Sequence, residues 1–312
     1  MSVGELWTEK YRPNKVDDYV FRDEKQRSQV MQWIKEKTLP HVLLSGTQGL
    51  GKTSLINVLI NELEIDRGDV LEINASNETG VDNVRIKIIN FASTIAFGSF
   101  KIIILEEAEM LSASSQAALK RVLEEYSDNC RFFLTTNNPH KIIAPIHSRC
   151  QTFHMASLNI DEFRLRLATI LATEGVEADL ETLDTFIKAT YPDLRKSINS
   201  IQMNVIDGKL QMPSSDSGST SDWMIKMVEL FKSGNITAAR EYVCEHAEYN
   251  DYPEIFRFLY RNLPLWGASE QQHEDALIVI REGLVKDTLV ADREINLSAT
   301  LVQLKQIKEK RN

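Results

Sequence analysis

The 312-residue sequence has few cysteines and no long apolar segment. Cys130, Cys150 and Cys244 lie far apart, which excludes a dense disulfide framework and the close cysteine pairs of a structural zinc site. The longest apolar stretches, such as Ile102–Leu105, are far shorter than the ~20 residues that span a bilayer. The N-terminus also lacks the basic start and apolar segment of a signal peptide. We therefore expect a protein of a reducing cytoplasm without membrane association.

Basic residues are also fewer than acidic residues. The chain has 36 lysines and arginines against 45 aspartates and glutamates, a formal net charge of −9. Because nonspecific DNA binding depends on positive charge, any contact with DNA must come from a local basic surface. Hydrophobic residues at 43% and charged residues at 26% are typical of a folded globular protein and exclude a mostly disordered chain. The length suggests about two or three domains.

The first half of the sequence alternates short apolar runs with helical patterns. The apolar runs have the length of buried strands, and they are His41–Gly46, Val70–Ser76, Lys101–Glu107 and Arg131–Asn137. The helical segments between them are Lys52–Leu63, Asp82–Ala96 and Ser114–Tyr126. This alternation predicts an α/β domain with a parallel sheet that helices cover on both faces.

The pattern becomes helical near residue 155, and no strand is predicted after that point. Apolar residues at helical spacing predict a small helical unit with the segments Ile160–Glu174, Leu180–Thr190 and Leu194–Ile206. Residues 211–220 (QMPSSDSGST) have the composition of a linker, and a helical pattern resumes at Trp223. The aromatic and leucine-rich Tyr252–Trp266 has two compatible interpretations: the core of a helical domain, or a bundle that packs against copies of itself.

Residues 46–53 (GTQGLGKT) match the phosphate-binding pattern GxxxxGK[ST] in full. They follow an apolar strand and open a helical pattern, which is the context that the motif requires. Glycines allow a tight turn in which successive N–H groups point at one anion, and the helix start adds partial positive charge. Lys52 is suited to the β- and γ-phosphates of a nucleotide and the Thr53 hydroxyl to Mg²⁺. The alternative, a glycine-rich turn with a surface lysine, is disfavoured by the flanking elements.

Adjacent carboxylates follow the third apolar run, at the edge of the sheet where the phosphate loop lies. We expect Glu106 to hold Mg²⁺, directly or through water, and Glu107 to orient and deprotonate an attacking water. A solvated acidic loop is the alternative, which the neighbouring phosphate loop disfavours. Asn137 ends the fourth run and is suited to hydrogen-bond the γ-phosphate or that water, although an Asn-Asn pair before proline is often only a turn.

Further motifs accompany the phosphate loop in a fixed order. They are WTEKYRP (7–13), NAS (74–76), NFAST (90–94), LEEAE (105–109), QAALKRVLEEYS (116–127), TNNPHKIIAPIHSRC (136–150) and YPDLRKSIN (191–199). In this order and spacing, over residues 7–199, the chain resembles AAA+ sliding-clamp loader ATPases of the replication factor C small-subunit family. Within that group it most resembles the large subunit of T-even-type phage clamp loaders.

The resemblance implies a three-domain architecture and an ATP site. The implied divisions are an AAA+ P-loop domain (1–154), a helical lid (155–210), a linker (211–220) and a helical collar for oligomerisation (221–312). The N-terminal segment would line the adenine and ribose, residues 49–54 would hold phosphates, and the lid would contribute an arginine. The implied ATP-binding residues are Glu9, Lys10, Tyr11, Val20, Gly49, Leu50, Gly51, Lys52, Thr53, Ser54 and Arg195.

Ser148-Arg149-Cys150 resembles the family motif whose arginine reaches the ATP site of the neighbouring subunit. Such an arginine finger is worth about 10³–10⁵ in rate because it offsets charge on the transferred phosphoryl group. If Arg149 acts in this way, a lone subunit cannot complete its own site. The resemblance implies a homotetramer that a distinct small subunit completes to a pentamer, in the cytoplasm of an infected bacterial host.

The resemblance also implies contacts with primer–template DNA and with a sliding clamp. Arg85 is the best DNA-binding candidate, and Lys87 is a weaker one because it points to a different side of the helix. Backbone N–H groups near residues 112–114 are further phosphate-binding candidates. Ile95 and Phe97 are the implied clamp contacts, whereas Phe100 is also suited to the core.

The chain departs from the family pattern in ways that leave alternatives open. The family usually has aspartate at the positions of Glu106 and Glu109, so metal geometry could shift and slow hydrolysis. Many relatives carry a basic residue where Thr79 stands, which weakens a DNA-sensing role for that loop. We expect an ATPase that opens a clamp and loads it onto DNA. The alternatives are a subunit that binds ATP only for assembly and, disfavoured by the absence of a recognisable acceptor site, a small-molecule kinase.

Overall fold

The computed structural model describes residues 5–77, 81–212, 222–247 and 251–309. The described chain divides into two compact units. The first contains the residues up to Ile170 together with Pro192–Arg195, and the second contains Leu171–Tyr191 and the residues from Lys196 onward. Most of the sequence-predicted linker, from residue 213 on, lies outside the described residues. The division into AAA+ domain, lid and collar stays a prediction.

A five-stranded parallel sheet forms the centre of the first unit, as the alternating pattern predicts. Its order is β2-β3-β4-β1-β5. The strands are β1 (Val42–Ser45), β2 (Val70–Asn74), β3 (Lys101–Glu106), β4 (Cys130–Thr136) and β5 (Gln151–His154). The sequence does not predict β5, because only Phe153 of its four residues is buried and no apolar run marks it.

The helices of the first unit are α1 (Trp7–Lys10), α2 (Glu24–Glu36), α3 (Lys52–Glu62), α4 (Val81–Ala92), α5 (Ala113–Glu125), α6 (Ala144–His147) and the part of α7 (Ile160–Thr173) up to Ile170. The prediction that α4 continues to Ala96 is wrong. After Ala92 the carbonyl of Phe91 accepts hydrogen bonds from the Thr94 hydroxyl and the Lys101 ammonium, both at 2.9 Å, so the chain leaves the helix.

The second unit is mainly helical. Its elements are α8 (Leu180–Thr190), α9 (Leu194–Met203), β6 (Val205–Ile206), β7 (Lys209–Leu210), α10 (Asp222–Lys232), α11 (Ile236–His246), α12 (Tyr252–Arg261), α13 (Glu270–Asp287) and α14 (Arg293–Glu309). The expectation of no strand after residue 155, with a helix to Ile206, is wrong. Asp207 and Gly208 both have positive φ, which is the geometry of a two-residue hairpin turn that joins β6 and β7 antiparallel.

Apolar burial explains the stability of both units. In the first, the residues of β1, those of β4 other than Arg131, and the apolar run of β3 are almost completely removed from solvent. In the second, the aromatic segment supplies Phe256, Leu259 and Trp266, which are all at most 1% exposed. This segment is therefore core, and its packing against copies of the chain stays a prediction. Among the described residues, no helix has the length and apolarity that membrane crossing requires.

Candidate functional site

A cavity of about 270 Å³ lies at the carboxyl edge of the sheet in the first unit. The phosphate loop bounds it, since β1 ends at Ser45 and α3 begins at Lys52. The ends of β3 and β4 bring their polar residues to the same edge. The lining residues are Gln48, Gly49, Gly51, Lys52, Thr53, Ser54, Glu106, Glu107, Thr135, Asn137 and Arg195.

Two glycines of the phosphate loop have the left-handed backbone that other residues rarely adopt. Gly49 has φ 76° and Gly51 has φ 81°. A Cβ atom on Gly49 would lie 1.9 Å from Oδ1 of Asp193, and one on Gly51 would lie 3.2 Å from the Tyr19 ring. Side chains from two distant segments thus pack against the loop, closely at Gly49 and less closely at Gly51, and the positive φ of both positions favours glycine.

Tyr19 packs against the phosphate loop at Gly51, a contact that the sequence did not indicate. Its hydroxyl lies 3.4 Å from the carbonyl of Gly51, and its side chain is buried. Burial raises the pKa of this hydroxyl well above its ordinary value, so it stays a hydrogen-bond donor. No sequence motif marks Tyr19, because its position next to the loop depends on the tertiary fold.

Lys52 donates three hydrogen bonds across the loop. Its Nζ atom lies 2.7 Å from the carbonyl of Gly46, 2.8 Å from that of Thr47 and 2.8 Å from Oδ1 of Asn137. Burial lowers the pKa of this ammonium to about 8, and Arg195 contributes in the same direction. Burial therefore destabilises the charged form of Lys52, and an anion bound nearby would stabilise it. This is the electrostatic requirement for phosphate binding.

The lowered pKa of Lys52 predicts a pH-dependent affinity for ATP. Phosphate favours the charged ammonium, so affinity should fall as pH rises above about 8, by up to about tenfold per pH unit. Binding near pH 8 should also take up a proton. Calorimetry in two buffers of different protonation enthalpy measures that uptake, and the same titration at pH 6.5 is the control. Equal apparent enthalpies in both buffers at pH 8.5 would contradict the assignment.

Thr53 and Glu106 form the candidate Mg²⁺ site. The Thr53 hydroxyl donates to Oε1 of Glu106 at 2.7 Å, so the longer glutamate side chain reaches the position that the motif requires. A hydroxyl and one carboxylate suit Mg²⁺, which takes few protein oxygens and keeps water and phosphate in its shell. Within the described ranges, no three His, Cys, Asp or Glu side chains gather to hold a metal by themselves. This oxygen pair therefore fits a metal shared with phosphate.

Glu107 has a strained backbone beside the cavity. Its φ of 53° and ψ of 44° are left-handed, which is costly for a residue with a Cβ atom and is common at functional sites. Its N–H group donates to the hydroxyl of Thr135 at 3.3 Å, which fixes the turn against β4. The carbonyl of Glu107 accepts from the Met110 N–H group at 2.8 Å, so the half-buried Glu107 lines the cavity with both of its backbone polar groups hydrogen-bonded.

Asn137 is positioned by Glu109, a second contact that the sequence did not indicate. The Asn137 N–H donates to Oε1 of Glu109 at 2.8 Å, while its side-chain oxygen accepts from Lys52. The other Glu109 oxygen is buried without a hydrogen-bond partner. The chain of contacts Glu109–Asn137–Lys52 links the end of β4 to the phosphate loop. The position of Glu109 in the motif LEEAE is the only sequence signal for this role.

The remaining implied ATP-binding residues differ in whether they line the cavity. Arg195 is exposed and lines it, and Leu50 is buried beneath the loop. Glu9, Lys10, Tyr11 and Val20 do not line it. In the N-terminal segment Glu9 and Lys10 are exposed, Tyr11 is half-buried and Val20 is buried. Their contact with a base and ribose stays a prediction.

Arg149 does not line the cavity of its own chain. Its Nε atom donates to Oε1 of Glu124 in α5 at 2.8 Å, and its Nη1 atom donates to the carbonyl of Pro145 at 2.8 Å. The hydrogen bond from Arg149 lowers the pKa of the Glu124 carboxyl. The side chain is 26% exposed at the surface of the first unit. Arg149 therefore does not contribute to the phosphate site of its own chain, and its role toward a second molecule stays a prediction.

The implied DNA and clamp contacts are exposed. Arg85 and Lys87 lie on the surface of α4. Ile95 is 92% exposed and Phe97 is 83% exposed in the loop between α4 and β3. Phe100, in contrast, is 6% exposed, which confirms its suitability for the core. Position 79, the departure noted in the sequence, lies outside the described residues.

Comparison with known sequences finds similar proteins that share one name across several organisms. Residues 42–158 match the family described as "ATPase family associated with various cellular activities (AAA)". The chain is 36% identical to "Replication factor C small subunit" of Sulfurisphaera tokodaii, across 99% of this chain and 98% of that protein. The protein of the same name from Staphylothermus marinus is 35% identical across 96% and 94%. That from Methanocella arvoryzae is 38% identical across 65% of this chain and 64% of its own length.

Among solved structures, the Thermotoga maritima RuvB Holliday junction branch migration motor is similar to this chain. The TM-score is 0.50 at 13% sequence identity, across 95% of this chain and 91% of that one. At this identity the likeness concerns the fold alone. It agrees with an AAA+ architecture in which a parallel sheet is followed by a helical C-terminal region.

Proposed function

Because this chain belongs to the replication factor C small-subunit family and is thus an AAA+ clamp-loader subunit of DNA replication, we propose that it opens a sliding clamp with ATP and loads it onto primer–template DNA. The observation that carries the proposal is the cavity in which Lys52, the Thr53–Glu106 pair and Glu107 meet. A phosphate cradle, a metal-binding oxygen pair and a carboxylate suited to water activation are the parts that ATP hydrolysis requires.

Each residue of the cavity has a role that follows from its contacts. Lys52 exchanges carbonyl partners for the β- and γ-phosphates, and loop N–H groups hold the same anion. Thr53 and Glu106 would hold Mg²⁺, which would supply positive charge that offsets the charge of the phosphates. Glu107 accepts the proton of the attacking water, because its strained turn directs a carboxylate to the cavity. Asn137, fixed by Glu109, hydrogen-bonds the γ-phosphate or that water.

Arg149 completes the site from a neighbouring chain. In its own chain Arg149 pairs with Glu124 and lines no part of the cavity. Guanidinium charge offsets the charge that develops on the transferred phosphoryl group. Hydrolysis therefore depends on assembly, and DNA that enters the assembly past Arg85 and Lys87 aligns the neighbouring Arg149.

The composition of the assembly is a further part of the proposal. Four copies of this chain and one distinct small subunit would form a pentamer. The basis for this composition is the resemblance of the sequence motifs to those of phage clamp loaders. Ile95 and Phe97 would enter the clamp. Native mass measurement with a nonhydrolysable ATP analogue, with and without clamp and primed DNA, gives the subunit count.

The decisive assay is ATP turnover by the purified protein alone, with primed DNA, with clamp and with both. We expect slow basal turnover and strong stimulation only by clamp and DNA together. Turnover that ignores both ligands would contradict the proposed loading cycle. The departure from the family pattern at Glu106 motivates one alternative, a subunit that binds ATP for assembly without hydrolysis. Such a subunit would show tight ATP binding with no turnover in any mixture.

A further inference from the structure

The loop that presents Ile95 and Phe97 is held by a carboxylate that solvent does not reach. Asp69 is 0% exposed at the end of the turn Arg67–Asp69. Its Oδ1 atom accepts from the N–H of Phe97 at 3.0 Å, and its Oδ2 atom accepts from the N–H of Gly98 at 2.8 Å. Each carboxylate oxygen therefore fixes one amide of the loop directly at the exposed aromatic residue.

A buried ammonium holds the other end of the same loop. Lys101 is 3% exposed, and its Nζ atom donates to the carbonyl of Phe91 at 2.9 Å and to the Thr94 hydroxyl. The same ammonium lies 4.5 Å from the centre of the Phe91 ring. These contacts end helix α4 and set the direction in which the chain enters the loop.

The two opposite charges share one buried region beneath the loop. Val70 pairs with Ile102 in the parallel register of β2 and β3, so the residues that precede them, Asp69 and Lys101, lie on adjacent segments of the chain. Burial of a charge is costly unless hydrogen bonds compensate it. Most of the hydrogen bonds that compensate these two charges are made with residues of the loop, namely Thr94, Phe97 and Gly98. The fold thus uses buried charge to fix a backbone whose own side chains, Ile95 and Phe97, are almost fully exposed.

We propose that Asp69 and Lys101 are positioning residues that pre-organise this loop for insertion of Ile95 and Phe97 into an apolar pocket of the clamp. The inference rests on the proposed clamp contact. A loop that is already ordered loses less conformational entropy when its apolar side chains enter a partner, which increases affinity. Without Asp69 the Phe97 and Gly98 amides lose their acceptors, and the loop must be ordered during binding.

Asp69→Asn tests this role, because the amide NH₂ group cannot accept one of the two N–H bonds. The matched control is Asp66→Asn in the same turn, since exposed Asp66 accepts only locally, from Gly68 N–H at 2.7 Å. In the full chain, hydrogen exchange at Phe97 and Gly98 should accelerate in Asp69→Asn and not in Asp66→Asn. Affinity for the clamp of the same replication system should fall about tenfold. ATP affinity, which a folding defect would lower, should stay at the wild-type value.

Wild-type clamp affinity in Asp69→Asn, despite faster exchange of both amides, would overturn the positioning role. If Asp69→Asn does not fold, Lys101→Met decides by the same two measurements, since it removes only the anchor at the other end. Phe97→Ala separates this inference from the proposed function. Unchanged clamp affinity in Phe97→Ala would refute the clamp contact itself, whereas the exchange measurement reports on the loop without any clamp.

Discussion

Arg149→Ala should lower ATP hydrolysis stimulated by clamp and primed DNA by about 10³–10⁵. The physical reason is that the guanidinium offsets phosphoryl charge in a neighbouring site, and alanine leaves that charge without compensation. Affinity for ATP should change little, because Arg149 lines no part of the cavity in its own chain. Stimulated turnover and equilibrium ATP binding, measured on the same preparation, separate the two effects.

The control for this variant is Arg121→Ala. Arg121 in α5 has a side chain that is 80% exposed, against 26% for Arg149, and its Nε atom lies 3.8 Å from Oε2 of Glu125 one turn away. Exposed pairs of this kind contribute little to stability, and we expect full stimulated turnover. Equal rates for wild type and Arg149→Ala would refute the transfer of an arginine between protomers. Equal losses in both arginine variants would instead indicate a general effect of charge on assembly.

Glu107→Gln should abolish most ATP turnover while ATP remains bound. The amide keeps the size of the side chain but cannot take a proton from water, a function that contributes about 10²–10⁴ in rate. Single-turnover measurement of phosphate release, beside nucleotide affinity, checks the prediction. Because Glu107 also has a left-handed backbone, the matched control is Glu64→Gln, whose glutamate has the same φ of 53° and is exposed outside the cavity.

Glu64→Gln should behave as wild type, which would exclude an effect of glutamine on a strained backbone. Wild-type turnover in Glu107→Gln would require another base. Within the described cavity, Glu106 is the remaining carboxylate, and it is already bonded to Thr53.

Local patterns were sufficient to predict most of the sheet and the phosphate loop. The apolar runs around Ile104 and Phe133 are long enough to identify β3 and β4, and glycine spacing identifies the loop. Strand β5 and the 205–210 hairpin were missed because their strands are short and show little apolar pattern. Strand β5 has four residues, and each strand of the hairpin has two. The Asp207-Gly208 turn was a usable signal for that hairpin.

The supporting contacts of the site could not be predicted from local sequence. Tyr19 reaches Gly51 from 32 positions away, and Glu109 reaches Asn137 across 28. The sequence around Asp69 is typical of a polar turn. The residue is nevertheless buried, and its carboxylate accepts from the N–H groups of Phe97 and Gly98, which lie 28 and 29 positions later in the chain. Such contacts depend on which strands become neighbours, and that information lies in the whole fold rather than in any motif.

ATP held by Lys52 of one protomer should be hydrolysed only with Arg149 of an adjoining protomer. Mixing Lys52→Ala chains with Arg149→Ala chains, in the presence of clamp and primed DNA, tests it directly. We expect each variant alone to be inactive and the mixture to hydrolyse ATP, because the first supplies an arginine and the second an intact phosphate loop. A mixture no more active than its components, in rings shown by native mass measurement to contain both chains, would contradict the claim.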